Sequence, residues 1–180
     1  LSRFHSTRSA ARLAGLVLGC LTLARGTLAP GAAPAPIGRA DVKTILTEVR
    51  KPGAKAVLVN VWATWCDPCR AEMPALLRFF RAHAGQGLRL VLISADDESD
   101  RGKVADFLTS QGVDFPTWMK QGDDMRFIDG LDPRWSGALP ASFMFDGHGK
   151  LQRRWYGEVK PEALDQVWKR LSPRPQGGTP

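Results

Sequence analysis

Only three cysteines, three histidines and one tyrosine occur in the 180 residues. So little cysteine excludes a scaffold stapled by several disulfides. His5, His83 and His148 are scattered along the chain, and with the cysteines they reach no four-ligand zinc spacing. No apolar run approaches the roughly 20 residues of a membrane-spanning helix, because Arg25 interrupts the one candidate near the N-terminus. Internal repeats are absent, which excludes solenoids and propellers. Nucleic-acid motifs are absent too. Lysines and arginines are scattered rather than striped, and part of the +7 net charge comes from Arg3, Arg8 and Arg12 in an opening segment that holds no acid. A nucleic-acid partner is therefore not expected. With 43% hydrophobic and 24% charged residues, the composition is that of one globular domain with extra segments.

What the chain does have is concentrated in residues 62–72, Trp-Ala-Thr-Trp-Cys-Asp-Pro-Cys-Arg-Ala-Glu. Cys66 and Cys69 form a C-x-x-C pair. An apolar run, 56–61, leads into it, and a helical pattern, 70–83, leads out. A strand that delivers two cysteines to the first turn of a helix makes a dithiol redox centre. Helix N-termini carry unpaired N–H groups and partial positive charge, so a thiolate there is stabilised. The expected nucleophile is Cys66, at the exposed helix tip, and the expected resolving thiol is the more buried Cys69. Pro68 suits the first helical turn, where no N–H donor is needed. A permanent disulfide closing so short a loop would gain little chain entropy.

The N-terminus is expected to be a targeting signal over 1–20. Its arginines form a positive region and residues 13–19 a short apolar one. Val17-Leu18-Gly19-Cys20 resembles a bacterial lipoprotein signal, which makes Cys20 a candidate for lipidation and for a membrane tether through that lipid. Leu18 is bulkier than that pattern prefers, and cleavage near Gly31-Ala32-Ala33 is the alternative. Either route implies export to an oxidising compartment, the bacterial periplasm or cell envelope. Residues 21–38, rich in Ala, Pro and Gly, are expected to be a tether. A globular domain is expected over 39–171 and a loose tail over 172–180.

Within that domain, Val42, Ile45, Leu46 and Val49 predict a helix over 39–50. Residues 56–62 have the continuous apolarity of a central buried strand. The helix after the cysteines packs through Met73, Leu76, Leu77 and Phe80, and Pro74 should kink it. A second apolar strand covers 88–94, an acidic loop 96–100 and a helix 101–111. Residues 113–118 are expected to be extended, and 119–138 irregular. Residues 142–146 and 151–158 predict a hairpin, and 161–171 a last helix. The fold class is α/β, a mixed central sheet with helices on both faces.

That order resembles the thioredoxin fold, and specifically the TlpA-like exported thiol–disulfide oxidoreductases, over residues 39–171. The resemblance rests on Trp62-Ala63-Thr64-Trp65-Cys66, on Pro74 five residues after Cys69, and on Gly137-Ala138-Leu139-Pro140-Ala141-Ser142-Phe143. It implies a cis Leu139–Pro140 peptide beside Cys66, with client backbone docking there in extended form. The implied partners are disulfide-bearing client proteins, with cytochrome c maturation among the family's roles, and a membrane electron-donor protein. No cofactor or metal is implied.

Thioredoxin has a buried aspartate where this chain has Asn60. The family's proton-handling glutamate corresponds to Glu72, one helical turn from Cys69, whose side chain is expected to stay partly solvated. Asp67, between the cysteines, should raise the thiolate pKa and make the couple reducing. Trp65 either shields the disulfide and lines a partner surface or simply packs. The long stretch 119–138, flanked by Trp118 and Trp135, either shapes partner choice or covers the sheet edge. Two other readings use the same residues. A thioredoxin-fold peroxidase needs Thr or Ser three residues before its nucleophile, where Ala63 stands. A copper-handling protein would take both thiolates as soft ligands.

Overall fold

The computed structural model describes residues 35–173. The elements follow in the order β1 (Ile37–Ala40), α1 (Val42–Arg50), β2 (Ala56–Trp62), α2 (Asp67–His83), β3 (Leu88–Ser94), α3 (Arg101–Ser110), β4 (Thr117–Lys120), α4 (Asp124–Leu131), β5 (Ala141–Asp146), β6 (Leu151–Tyr156) and α5 (Pro161–Leu171). The six strands form one sheet in the order β1-β4-β3-β2-β5-β6. β1, β4, β3 and β2 are parallel; β5 runs antiparallel to β2, and β6 antiparallel to β5. This is the mixed, thioredoxin-like sheet expected from the sequence.

Every residue of β2 is buried, and its side chains alternate between two cores. Leu58 and Trp62 face α2, α3 and α5, together with Leu90, Leu92, Leu108 and Leu164. Val57, Val59 and Val61 face α1 and α4, together with Ile45, Phe127 and Phe143. Each fully buried aliphatic or aromatic side chain contributes about 1.5–3 kcal/mol, so a strand buried on both faces anchors whatever lies at its end. At the end of β2 lie the cysteines.

Two local expectations are corrected. The helix expected over 39–50 starts at Val42. Asp41 caps it by accepting the Thr44 N–H at 2.8 Å, and the residues before the cap are drawn into the sheet as β1, paired with β4. The stretch 119–138, expected to be irregular, contains α4. Asp123 caps that helix by accepting the Arg126 N–H at 2.9 Å, while Phe127 and Leu131 turn inward one helical turn apart. The extended segment expected over 113–118 becomes β4 a few residues later. Because β4 lies between β1 and β3, it is an interior strand. The targeting signal, Cys20 and the loose tail from 174 onward lie outside the described residues.

Candidate active site

Cys66 ends the loop from β2 and caps α2; Asp67 and Pro68 form the first turn. Cys66 and Cys69 are joined as a disulfide. Cys66 Sγ accepts the Cys69 backbone N–H at 3.3 Å, and Cys66 O accepts the Arg70 N–H at 3.1 Å. One sulfur therefore occupies the position where helix N–H groups converge. Cys69 is fully buried, and Cys66 is 6% exposed. The ranking matches expectation, but Cys66 is far less open than a helix tip suggests, because it joins the core that holds Trp62, Ala63 and Met73. α2 continues through Pro74 to His83.

Glu72 departs most from expectation. It is 3% exposed rather than partly solvated. Asn60 Nδ2 donates to Glu72 Oε1 at 2.9 Å, and the Val159 N–H donates to Oε2 at 2.9 Å. Asn60 Nδ2 also donates to Ser142 Oγ, directly across the β2–β5 pairing, at 3.0 Å. Asn60 is in phase with Leu58 and Trp62, so its side chain points to the α2 face. Burial drives the Glu72 carboxyl above its ordinary value; the hydrogen bonds from Val159 and Asn60 oppose this without cancelling it, and nearby Glu158 adds to the rise.

Thr64 and Asp96 were not singled out in the sequence. Asp96, 3% exposed, accepts the Thr64 N–H at 2.9 Å, the Thr64 hydroxyl at 2.5 Å and the Ser94 hydroxyl at 2.6 Å. The Cys66 N–H closes a turn onto Ala63 O at 3.2 Å. The Ala63–Cys66 turn is thus pinned twice. Ser94 pairs with Trp62 in parallel register, which places Asp96 opposite Thr64, and that register is not written in any local pattern of the sequence.

Trp65 projects from this turn with 65% exposure. Asp67 is also exposed, and its carboxylate forms a 3.4 Å ion pair with Arg70. The Leu139–Pro140 peptide is cis. Trp65 and Leu139 share a groove of about 170 Å³ with Ala95, Phe127, Ile128 and Trp135. The structure thus brings together Trp65, Leu139 and part of the 119–138 stretch. Glu72 is three residues after Cys69 among the buried residues of α2. Among the described residues no cluster of three His, Cys, Asp or Glu side chains is placed to hold a metal.

A redox disulfide at the tip of a helix that follows a central strand defines a thioredoxin-fold dithiol protein. The chain belongs to the AhpC/TSA family, whose model matches residues 35–154, and within it to the thiol–disulfide oxidoreductases. It is 31% identical over 133 residues to the thiol-disulfide oxidoreductase ResA of Bacillus thuringiensis (strain Al Hakam), covering 74% of this chain and 73% of that one. It is 37% identical over 140 residues to the thiol:disulfide interchange protein DsbE of Yersinia pestis, covering 76% and 66%. Among solved structures, the thioredoxin-related protein of Neisseria meningitidis serogroup B superposes with a TM-score of 0.56 at 30% identity, covering 67% of this chain and 87% of that one. The protein is a thioredoxin-like disulfide oxidoreductase.

Proposed function

We propose that the protein reduces disulfides of client proteins in an exported location, with Cys66 as nucleophile and Cys69 as resolving thiol. The Cys66 thiolate attacks one sulfur of a client disulfide. That S–S bond breaks, a mixed disulfide forms, and the first client sulfur leaves as a thiolate that takes up a proton. Cys69 then gives its proton to the Glu72 carboxylate and attacks Cys66 Sγ. The Cys66–Cys69 bond forms, and the second client sulfur leaves. Two electrons pass from the dithiol to the client, and a membrane electron-donor protein restores the dithiol.

The observation that carries this reading is the Glu72 carboxyl, one turn from the fully buried Cys69 and raised above its ordinary value by burial. A buried thiol cannot hand its proton to bulk water, so a carboxylate one helical turn along α2, whose affinity for a proton burial has raised, has a task as a base. Asp67 supports the reducing direction. Its charge at the helix tip opposes the dipole that stabilises the Cys66 thiolate, although Arg70 offsets part of that field. Export is supported by the arginine-plus-apolar pattern over 1–20, with Cys20 as the proposed lipid attachment; the tether expected over 21–38 is proposed to end before Ile37, because Ile37 and Gly38 belong to β1. Cytochrome c maturation is the client class proposed for test.

The Cys69→Ala variant should strand the mixed disulfide, and the trapped partner names the client. Equilibration with glutathione should place the couple nearer the roughly −270 mV of thioredoxin than the roughly −120 mV of a strong oxidant. Asp67→His should raise that potential. A potential at the oxidising end, with no client trapped, overturns the reductant reading.

A further inference from the structure

The loop from Asp132 to Pro140 contributes Trp135, Gly137 and Leu139 to the groove that Trp65, the neighbour of Cys66, also lines, and it is held in an unusual way. Asp132, at the C-terminal end of α4, is 3% exposed. Its carboxylate gathers donors from two parts of the chain. Arg134 contributes its backbone N–H at 3.0 Å, Nε at 3.2 Å and Nη2 at 3.3 Å. From β6, the Tyr156 hydroxyl donates to Oδ2 at 3.0 Å and Arg154 makes an ion pair with the same oxygen. The other end of the loop is tied to the residue after β6, where the Gly157 N–H donates to Pro140 O at 2.8 Å.

Between these anchors the loop is braced internally. The Trp135 N–H donates to Asp132 O at 2.9 Å, and Trp135 Nε1 donates to Ala138 O at 2.8 Å. The Trp135 ring meets Phe143 edge-on at 5.5 Å. Gly137 has φ +86°, a conformation that favours glycine, and a side chain there would meet Ile128 Cδ1 of α4 at 2.7 Å. Trp135 and Leu139, both groove-lining, therefore inherit their positions from a carboxylate that touches neither sulfur.

An apolar side chain at 132 would serve if the site only had to be filled. A carboxylate hydrogen-bonded to a tyrosine and an arginine, with Arg154 paired to it by charge, instead fixes direction as well as distance, because each donor must meet a particular oxygen. We propose that Asp132 is a positioning residue: through Arg154 and Tyr156 it clamps the 132–140 loop to β6, and so sets affinity for protein disulfides without tuning the dithiol itself. This rests on the client-reducing function proposed above.

The test uses the full chain, pre-reduced, and follows its oxidation by alkylating the remaining thiols and resolving the two forms by mass. One substrate is a disulfide-closed Cys-x-x-Cys-His peptide, the sequence type of c-haem attachment sites. The other is oxidised glutathione, whose γ-Glu-Cys-Gly arms carry no apolar side chain for the groove to hold. Asp132→Asn should raise the half-saturating peptide concentration about tenfold, the scale of one charge-assisted hydrogen bond. Tyr156→Phe, which removes a single partly exposed hydroxyl, should raise it about threefold, and adding it to Asp132→Asn should change nothing further. The glutathione rate and the equilibrium potential should match the parent in every variant. Equal losses on both substrates, or an unchanged peptide concentration in both single variants, overturn the clamp. A parent that reacts with glutathione but with no peptide fails the client reading instead, and the clamp with it.

Discussion

Glu72 and Asp132 are equally withdrawn from water, at 3% exposure each, yet their carboxyls move in opposite directions. Burial raises Glu72, whose partners are an amide and a backbone N–H, both neutral. Burial also works against the Asp132 carboxylate, but Arg134, Tyr156 and Arg154 outweigh it and hold the group below its ordinary value. Depth alone does not decide what a carboxylate does; the charge of its partners does. Neutral donors leave Glu72 able to take a proton, which a redox step can use. Cationic donors make Asp132 a permanent anion, suited to holding a loop.

The hardest blow to the Glu72 side is Asn60→Asp, which puts a second carboxyl against Glu72 Oε1 and removes the donor to Ser142. Two carboxylates in one buried site cannot both ionise, so the pair would titrate as a unit. The variant should lose about 2–4 kcal/mol at about pH 8 and much less near pH 5, where a shared proton replaces the amide hydrogen bond. Urea unfolding at the two pH values measures it, and a pH-independent loss would refute the neutral-partner account of Glu72.

On the other side, Asp132→Asn should cost about 3 kcal/mol, the lower end for breaking a buried ion pair because the Arg134 side chain still reaches solvent. A lowered carboxyl stabilises the fold above the unfolded-state value of 3.8, and that stabilisation is lost as pH falls through the native value. The deficit of the variant should thus be constant through neutral pH and fade only in acid. A deficit that varies between about pH 5 and 8 would mean that Asp132 is not a permanent anion.

A smaller effect with the opposite sign is expected for Glu72→Gln. A raised carboxyl favours the fold in its protonated form. That contribution is complete below 4.5 and disappears as pH rises through the native value. Parent and variant should track each other in acid and diverge above it, with the parent declining and the glutamine variant flat. The pH profile of thiol reactivity should change over the same window, and identical profiles would make Glu72 a bystander.

Glu98 gives the smallest and most discriminating control. Like Asp132 it meets two arginines, Arg39 at 2.9 Å and Arg101, and its carboxyl falls to about 2, with hydrogen bonds from Arg101 and then Arg39 as the main causes. Its side chain is nevertheless 45% exposed. Glu98→Gln should alter stability only slightly above 4.5, with the difference shrinking as pH falls toward 2 and as salt is added. If it matches Asp132→Asn in size, solvent exclusion is not what makes the Asp132 clamp strong.

The redox centre was legible because its signal is local. Two cysteines, a proline in the first turn and an apolar run before them lie within fourteen residues, 56 to 69, and the helix that follows repeats at helical spacing. Glu72 was legible in position but not in environment. Cys69, Glu72, Met73, Leu76 and Leu77 all fall on one stripe of α2, so the spacing already placed this acid among the buried residues. Its charge led to the opposite expectation. α4 was missed because its two buried positions, Phe127 and Leu131, sit among Gly, Asp and Pro, which mask a short periodic signal.

The sequence by itself determined the dithiol, the helix that displays it, the central strand that anchors it and the thioredoxin-like order of elements, because each depends on neighbours a few residues apart. The tertiary structure decided which acids are buried and what meets them. Val159 reaches Glu72 from 87 residues away, and Asp96 holds Thr64 across 32. Asp132 draws its donors from two separate stretches of chain, on α4's exit and on β6. The protonation of a carboxylate depends on charges within a few ångströms in space, and no local pattern records those distances.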